Sequence, residues 1–282
     1  MTNLTVPPPT LRAGSGRWPV LISVPHAGTD YPLSLLANAR HGRPSLEPLE
    51  DPLVDRLVWR AAELGIAVVV ARAPRALIDC NRGPKELDNR LTGAAPGHDP
   101  GPRARGGLGL VPTRTPRHGE LWRRPLGQAE LSQRMDGAWL PFHDLVAAEL
   151  AKLQARHGDV LLLDVHSMPA RAPTMPQLVI GDRHGRSAAA WLGDIFRRTA
   201  AQTDFQVAFN DPYAGGYVVE RHGRPETGVH ALQLEFDRGA YLAADSRSPG
   251  PGFDRVAQVI RRLAQAAGEE LLGRNALTQA AE

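Results

Sequence analysis

Four positions in this 282-residue sequence place chemically active side chains where the surrounding pattern calls for core. His26 follows the apolar run Val20-Leu21-Ile22-Ser23-Val24 and is held between Pro25 and Ala27-Gly28. Asp164 and His166 come at the end of Val160-Leu161-Leu162-Leu163, and Glu235 lies in Ala231-Leu232-Gln233-Leu234-Glu235-Phe236. Side chains alternate faces along a strand, so Asp164 and His166 share one face while Leu163 and Val165 take the other. By the same rule Ala231, Gln233 and Glu235 stand opposite Leu232, Leu234 and Phe236. Asp-x-His at a strand end can build a metal-binding histidine, with the acid as ligand or as the partner that orients the ring. A glutamate close to such ligands can act as the general base toward a metal-activated water. Each residue also has a structural reading: His26 as a locally bonded turn histidine, Asp164-His166 as a satisfied core pair, Glu235 as the ion-pair partner of an arginine.

Two further segments carry recognition chemistry. Arg75 and Arg82 bracket Ala76-Leu77-Ile78-Asp79-Cys80-Asn81, and arginine suits bidentate carboxylate binding. Asn210 to Tyr217 is rich in turn residues, and its glycines either let backbone approach a ligand or make a plain connection.

These residues need strand ends to hold them. Val20 to Val24 reads as a buried strand closed by Pro25 and Gly28. Apolar residues at 53, 54, 57, 58, 61 and 64 predict a helix beginning at Asp51, with Asp51 as its cap and Pro52 as its first residue. Gly65 ends it, and Ile66 to Ala71 reads as a second strand. Strand, helix and strand in succession predict a βαβ unit and a largely parallel α/β sheet. Residues 83–127, dense in Gly, Pro and Arg, read as a long surface excursion that could cover a site. A helix over 128–157 kinked at Pro141 follows, then strands at 160–165, 177–180, 205–209 and 230–236, with helices at 188–202 and 253–272. His166 is expected in a turn after its strand, and His230 as a possible neighbour of Glu235.

Composition narrows the chemistry. The chain has one Cys, ten His, two Lys and 31 Arg, with a net charge of +3. A lone Cys80 excludes an internal disulfide and a thiolate metal site, so any metal must use His and carboxylates. The arginines are interspersed with nearly as many acids, and only 5% of residues are aromatic, which argues against an Arg-rich nucleic-acid-binding protein. No apolar stretch approaches the ~20 residues of a membrane span, and the first residues do not read as a secretion signal. Cytoplasmic location is the default expectation.

Five segments in this order resemble the N-formylglutamate amidohydrolase family: Ser-Val-Pro-His-Ala-Gly (23–28), Leu-Ile-Asp-Cys-Asn-Arg (77–82), Asp-Val-His-Ser-Met-Pro (164–169), Gly-Gly-Tyr-Val-Val-Glu-Arg-His-Gly (215–223) and His-Ala-Leu-Gln-Leu-Glu-Phe-Asp-Arg (230–238). The resemblance runs from about 18 to 272. It implies a single catalytic domain there, a flexible lead over 1–17 and a tail over 273–282. It also implies a three-layer α/β/α fold of zinc-carboxypeptidase type, a bound Zn2+ with His26 and His166 as ligands, and Glu235 as general base. Asn81 and Arg82, with Arg75, would hold a substrate carboxylate. The carboxypeptidase pattern His-x-x-Glu departs here, since position 29 is Thr. Asp51 is then the expected third ligand, ahead of Glu50 and Asp30, and competes with its own reading as a helix cap. The implied reaction is hydrolysis of N-formyl-L-glutamate, or a related N-acyl amino acid, to formate and the amino acid, as in histidine breakdown. The implied partner is a small molecule, with neither nucleic acid nor membrane, and no oligomeric state follows. The alternatives are a relative acting on another N-acyl amino acid or peptide, and an inactive scaffold of the same fold.

Overall fold

The computed structural model describes residues 6–88, 91 and 99–279. It divides into two compact units. One comprises Met1–Thr10, Pro25–Asp51 and Val70–Asp144; the other comprises Leu11–Val24, Pro52–Val69 and Leu145–Glu282.

The strands in chain order are β1 (Thr10–Arg12), β2 (Val20–Val24), β3 (Ala67–Val70), β4 (Arg114–Thr115), β5 (Gly119–Glu120), β6 (Val160–Met168), β7 (Leu178–Gly181), β8 (Val207–Phe209) and β9 (Val229–Asp237). Seven form one sheet in the order β1-β3-β2-β6-β9-β7-β8, and β4-β5 is a separate ribbon. β2 with β6, β6 with β9 and β7 with β8 are parallel, whereas β7 runs antiparallel to β9. The sheet is therefore mixed and largely parallel, as the alternation of strand and helix predicts. All nine residues of β6 are buried. That burial explains its unbroken Val-Leu-Leu-Leu start, because a central parallel strand has no solvent face.

The helices in chain order are α1 (Leu33–Asn38), α2 (Val54–Leu57), α3 (Trp59–Glu63), α4 (Gly101–Arg105), α5 (Gln128–Arg134), α6 (Leu140–His157), α7 (Ala190–Ala200), α8 (Tyr217–His222) and α9 (Phe253–Gln279). The face of the sheet carrying Val20, Leu161 and His230 is covered by α7 and α9. A Cβ on Gly268 of α9 would come within 2.7 Å of the Trp18 ring and 3.4 Å of Val20. Trp191 of α7 meets His230 edge-on, with Arg274 of α9 over its ring. The opposite face carries Ser23, Asp164 and Gln233, and there Gly216, at the head of α8, hydrogen-bonds Gln233.

Several expectations change. The helix predicted to start at Asp51 starts at Val54 and breaks into α2 and α3. Leu53 precedes it in the left-handed region at φ 61°, and no side chain caps it. Asp51 is not a cap: its carboxylate is drawn to a histidine, and its N–H bonds the carbonyl of His26 at 2.9 Å. The break expected at Pro141 falls earlier, as a π-helical turn over Met135–Trp139. Pro141 has no N–H to offer the carbonyl of Gly137, so the chain widens before it, and the proline fits the first turn of α6. His166 lies within β6, which runs through Met168, rather than in a turn. The described part of 83–127 is not a bare surface excursion: it holds α4 and the β4-β5 ribbon, and it buries Leu110, Val111, Leu121 and Leu126. Residues 89, 90 and 92–98 of that stretch lie outside the described residues. α8 has no counterpart in the sequence reading, and α9 continues past 272 to Gln279.

Candidate active site

On the sheet, three strands present a connected row of polar side chains on one face. Ser23 of β2 pairs in register with Asp164 of β6 and donates from Oγ to Asp164 Oδ1 at 2.7 Å. The other carboxylate oxygen, Oδ2, is 2.7 Å from His166 Nε2. Asp164 and His166 are both buried. A carboxylate on Nε2 favours the tautomer protonated there and leaves the Nδ1 lone pair for a metal. His166 pairs with Glu235 across the parallel β6–β9 ladder. In-register residues of adjacent strands point to the same face, so imidazole and carboxylate stand side by side at the carboxyl ends of two parallel strands. That is where α/β sheets bind their ligands. Glu235 Oε1 accepts a hydrogen bond from Gln233 Nε2 at 2.9 Å.

Two other histidines lie on these elements. His222 of α8 is buried, and burial together with Arg221 pushes its imidazole down to about 4, so it is neutral at pH 7. His230 is not a neighbour of the base. It pairs with Leu161 on the face opposite Glu235, packs against Trp191, and its imidazole is pushed down by burial.

The second set of residues comes from irregular chain. His26 follows β2, and both its ring nitrogens face carboxylates: Nε2 lies 2.7 Å from Asp79 Oδ1, and Nδ1 lies 3.3 Å from Asp51 Oδ2. With the Nε2 proton given to Asp79, the Nδ1 lone pair and Asp51 point at each other. Only a proton or a cation between them relieves that opposition. Asp79 is fully buried and collects donors, taking the Asn81 backbone N–H at 2.7 Å and Arg75 Nε at 2.8 Å. Burial alone would raise its carboxyl, but Arg75, His26 and Arg82 hold it well below the usual carboxylate range. Gly28 makes this docking possible. A Cβ there would lie 2.2 Å from the Ala73 carbonyl oxygen and 2.4 Å from that of Arg72, so only glycine admits the chain leading to Asp79.

Asn81, Arg82 and Arg75 are the residues expected to hold a substrate carboxylate. Asn81 and Arg82 are buried beside Asp79. Arg82 spends Nε on the Leu108 carbonyl and Nη1 on that of Asn81, and among the described residues its Nη2 meets no hydrogen-bond acceptor. Arg75 is partly buried, with Nε on Asp79. The fallback ligands have other roles: Asp30 pairs with Arg72 near the surface at 2.9 Å, and Glu50 accepts from the Tyr31 hydroxyl.

Among the described residues, one group of side chains could hold a metal ion: His26, Asp51 and His166, all buried. Sequence reasoning missed Asp79 and Gln233. Asp79 left a signal, as an acid embedded in Leu77-Ile78-Asp79-Cys80 that a core would reject without a partner. Gln233 shares a face with Glu235 by simple alternation.

Known proteins similar to this chain share one named activity. An N-formylglutamate deformylase of Pseudomonas aeruginosa is 29% identical over 265 residues, covering 91% of this chain and 94% of its own. An N-formylglutamate deformylase of Pseudomonas putida is 28% identical over 235 residues, covering 80% and 83%. The crystal structure of N-formylglutamate amidohydrolase from Ralstonia eutropha JMP134 superimposes with a TM-score of 0.85 at 29% identity, over 94% of this chain and 98% of that one. The sequence profile of the N-formylglutamate amidohydrolase family matches residues 18–242, and the chain is an amidohydrolase that belongs to this family.

Proposed function

We propose that this chain hydrolyses the amide of N-formyl-L-glutamate, or of a related N-acyl amino acid, using a zinc ion held by His26, Asp51 and His166. The observation that carries this reading is the in-register pairing of His166 with Glu235 on one face of the sheet. The activity named for both Pseudomonas relatives supports the substrate. The donor set fits the metal: two imidazoles and a carboxylate suit zinc and leave a position open for catalysis. Each imidazole also has a carboxylate on its other nitrogen, Asp79 for His26 and Asp164 for His166, as metal-binding histidines usually do.

When bound, zinc supplies Lewis acidity to the acyl carbonyl and to the attacking water. Glu235 takes a proton from that water through its carboxylate and returns it to the departing amine. Arg82, through Nη2, and Asn81 bind the carboxylates of the amino-acid half and so fix the amide's orientation. Arg75 acts with them while anchoring Asp79. The family resemblance supports a role in histidine degradation, and cytoplasmic location remains an expectation. No described helix is long and apolar enough to cross a membrane.

The test is direct. Purified protein is incubated with N-formyl-L-glutamate, and formate is assayed before and after removal of metal with a chelator and after restoring zinc. Formate release that stops on chelation and returns with zinc is the expected result. Turnover that survives complete metal removal would overturn the zinc assignment, and absence of turnover on formyl and other acyl amino acids would overturn the substrate.

A further inference from the structure

We infer that Gln233 is a positioning residue for the general base, held in a single orientation by the turn at Gly215–Gly216. This rests on the assignment of Glu235 as the base. Gln233 is buried in β9 on the same face as Glu235, two residues away. Its amide is engaged at both ends. The Gly216 backbone N–H donates to Gln233 Oε1 at 2.8 Å, and Gln233 Nε2 donates to Glu235 Oε1 at 2.9 Å. A backbone N–H can only donate, so it selects the amide oxygen and turns the NH2 group toward Glu235. The carboxylate of the base is thereby fixed in direction through Oε1.

The fold is built to deliver that N–H. Gly181 of β7 pairs with Gln233 across the antiparallel ladder. A Cβ on Gly181 would lie 2.6 Å from the Ala214 carbonyl carbon and 2.7 Å from Gly215 N, so the turn rests directly on the bare backbone of Gly181. Gly215 holds φ at 117°, a conformation side chains disfavour. Arg183 N–H fastens the turn to the end of β7 through the Ala214 carbonyl at 2.7 Å. The loop whose glycines suggested backbone approach to a ligand approaches the glutamine beside the base.

Two variants test the clamp, one removing the amide and one moving the turn. Gln233→Met keeps the side-chain length and removes both hydrogen bonds, whereas Gly181→Ala leaves Gln233 intact and displaces Ala214–Gly216. With formylglutamate as substrate, kcat per zinc-loaded site falls about tenfold or more in Gln233→Met with KM within about twofold, and Gly181→Ala shows a smaller loss of the same kind. Hydrogen exchange gives a readout independent of turnover: the Gly216 amide is protected in the wild type and exchanges at least about tenfold faster in both variants. A purely structural glutamine would lower thermal stability and leave kcat per folded site unchanged. Unchanged kcat in Gln233→Met, a loss confined to KM, or a wild-type Gly216 amide that exchanges as fast as in the variants overturns the inference. Glu235→Gln separates the two levels. If it is slow while Gln233→Met is normal, the clamp alone fails; if it retains full kcat, the base assignment fails and the clamp loses its catalytic meaning.

Discussion

The strand-borne and the loop-borne residues of the site are built on different physics. On β2, β6 and β9 the row Ser23, Asp164, His166, Gln233 and Glu235 is set by hydrogen-bonded register, so each side chain inherits its direction from the ladder. His26, Asp51 and Asp79 have no such frame, and their positions come from mutual hydrogen bonds, from buried arginine and from glycine contacts. In the first set geometry precedes charge pairing. In the second, charge pairing makes the geometry, so the second should depend far more on any one carboxylate.

Substitution can sharpen or break this contrast. The largest expected effect is on chemistry: Glu235→Gln lowers kcat by about 10²- to 10⁴-fold with zinc content unchanged by elemental analysis, since a backbone-fixed position tolerates an isostere. A variant that loses its zinc would show that the strand set, too, is held together by charge. Next, Asp79→Asn and Asp164→Asn each weaken zinc binding by about 10- to 100-fold in chelator competition. Only Asp79→Asn also costs ~3 kcal/mol in urea unfolding, because it removes the buried charge that pairs with Arg75 at 2.8 Å. Equal stability losses would erase the distinction.

A third test uses pH. His222 titrates near 4 in the folded chain against 6.5 as its ordinary value. Above pH 6.5 the imidazole is neutral folded and unfolded alike, and its neutral burial carries no pH penalty. As pH falls from 6.5 to 4 the unfolded chain takes up the proton first, so stability declines by up to ~3 kcal/mol and then levels off. His222→Gln should flatten that part of the profile, and an unchanged slope would assign the decline to the carboxylates instead. The smallest effect serves as a baseline. Asp254 pairs with Arg60 on the surface, and Asp254→Asn should shift stability by no more than ~1 kcal/mol in the same assay.

The same contrast explains what could be read from sequence. Period-two alternation placed Asp164 with His166 and Gln233 with Glu235, because strand geometry is local and regular. Asp51-Pro52 reads locally as a helix start, yet the helix yields and Leu53 adopts a left-handed backbone. A long-range partner, His26, competes for the aspartate, and no local pattern encodes that. Asp79 was visible only as an anomaly, since its partners come from 53 residues upstream and from its own turn. His166 was placed in a turn because its polarity mimics a strand end, although the ladder with β9 carries β6 two residues further.

The π-helical turn at Met135–Trp139 gives the chain an unusual sensitivity to length. Arg134 before it donates to the Leu77 carbonyl at 2.8 Å, and Trp139 within it donates to that of Arg82 at 3.0 Å, so this one stretch moors both ends of the segment bearing Asp79. Deleting a single residue there would restore a regular helix and rotate one mooring against the other by about 100°. A change that improves local helix geometry would thus cast loose the segment that steadies His26, which makes indels at 135–139 more damaging than most point substitutions nearby.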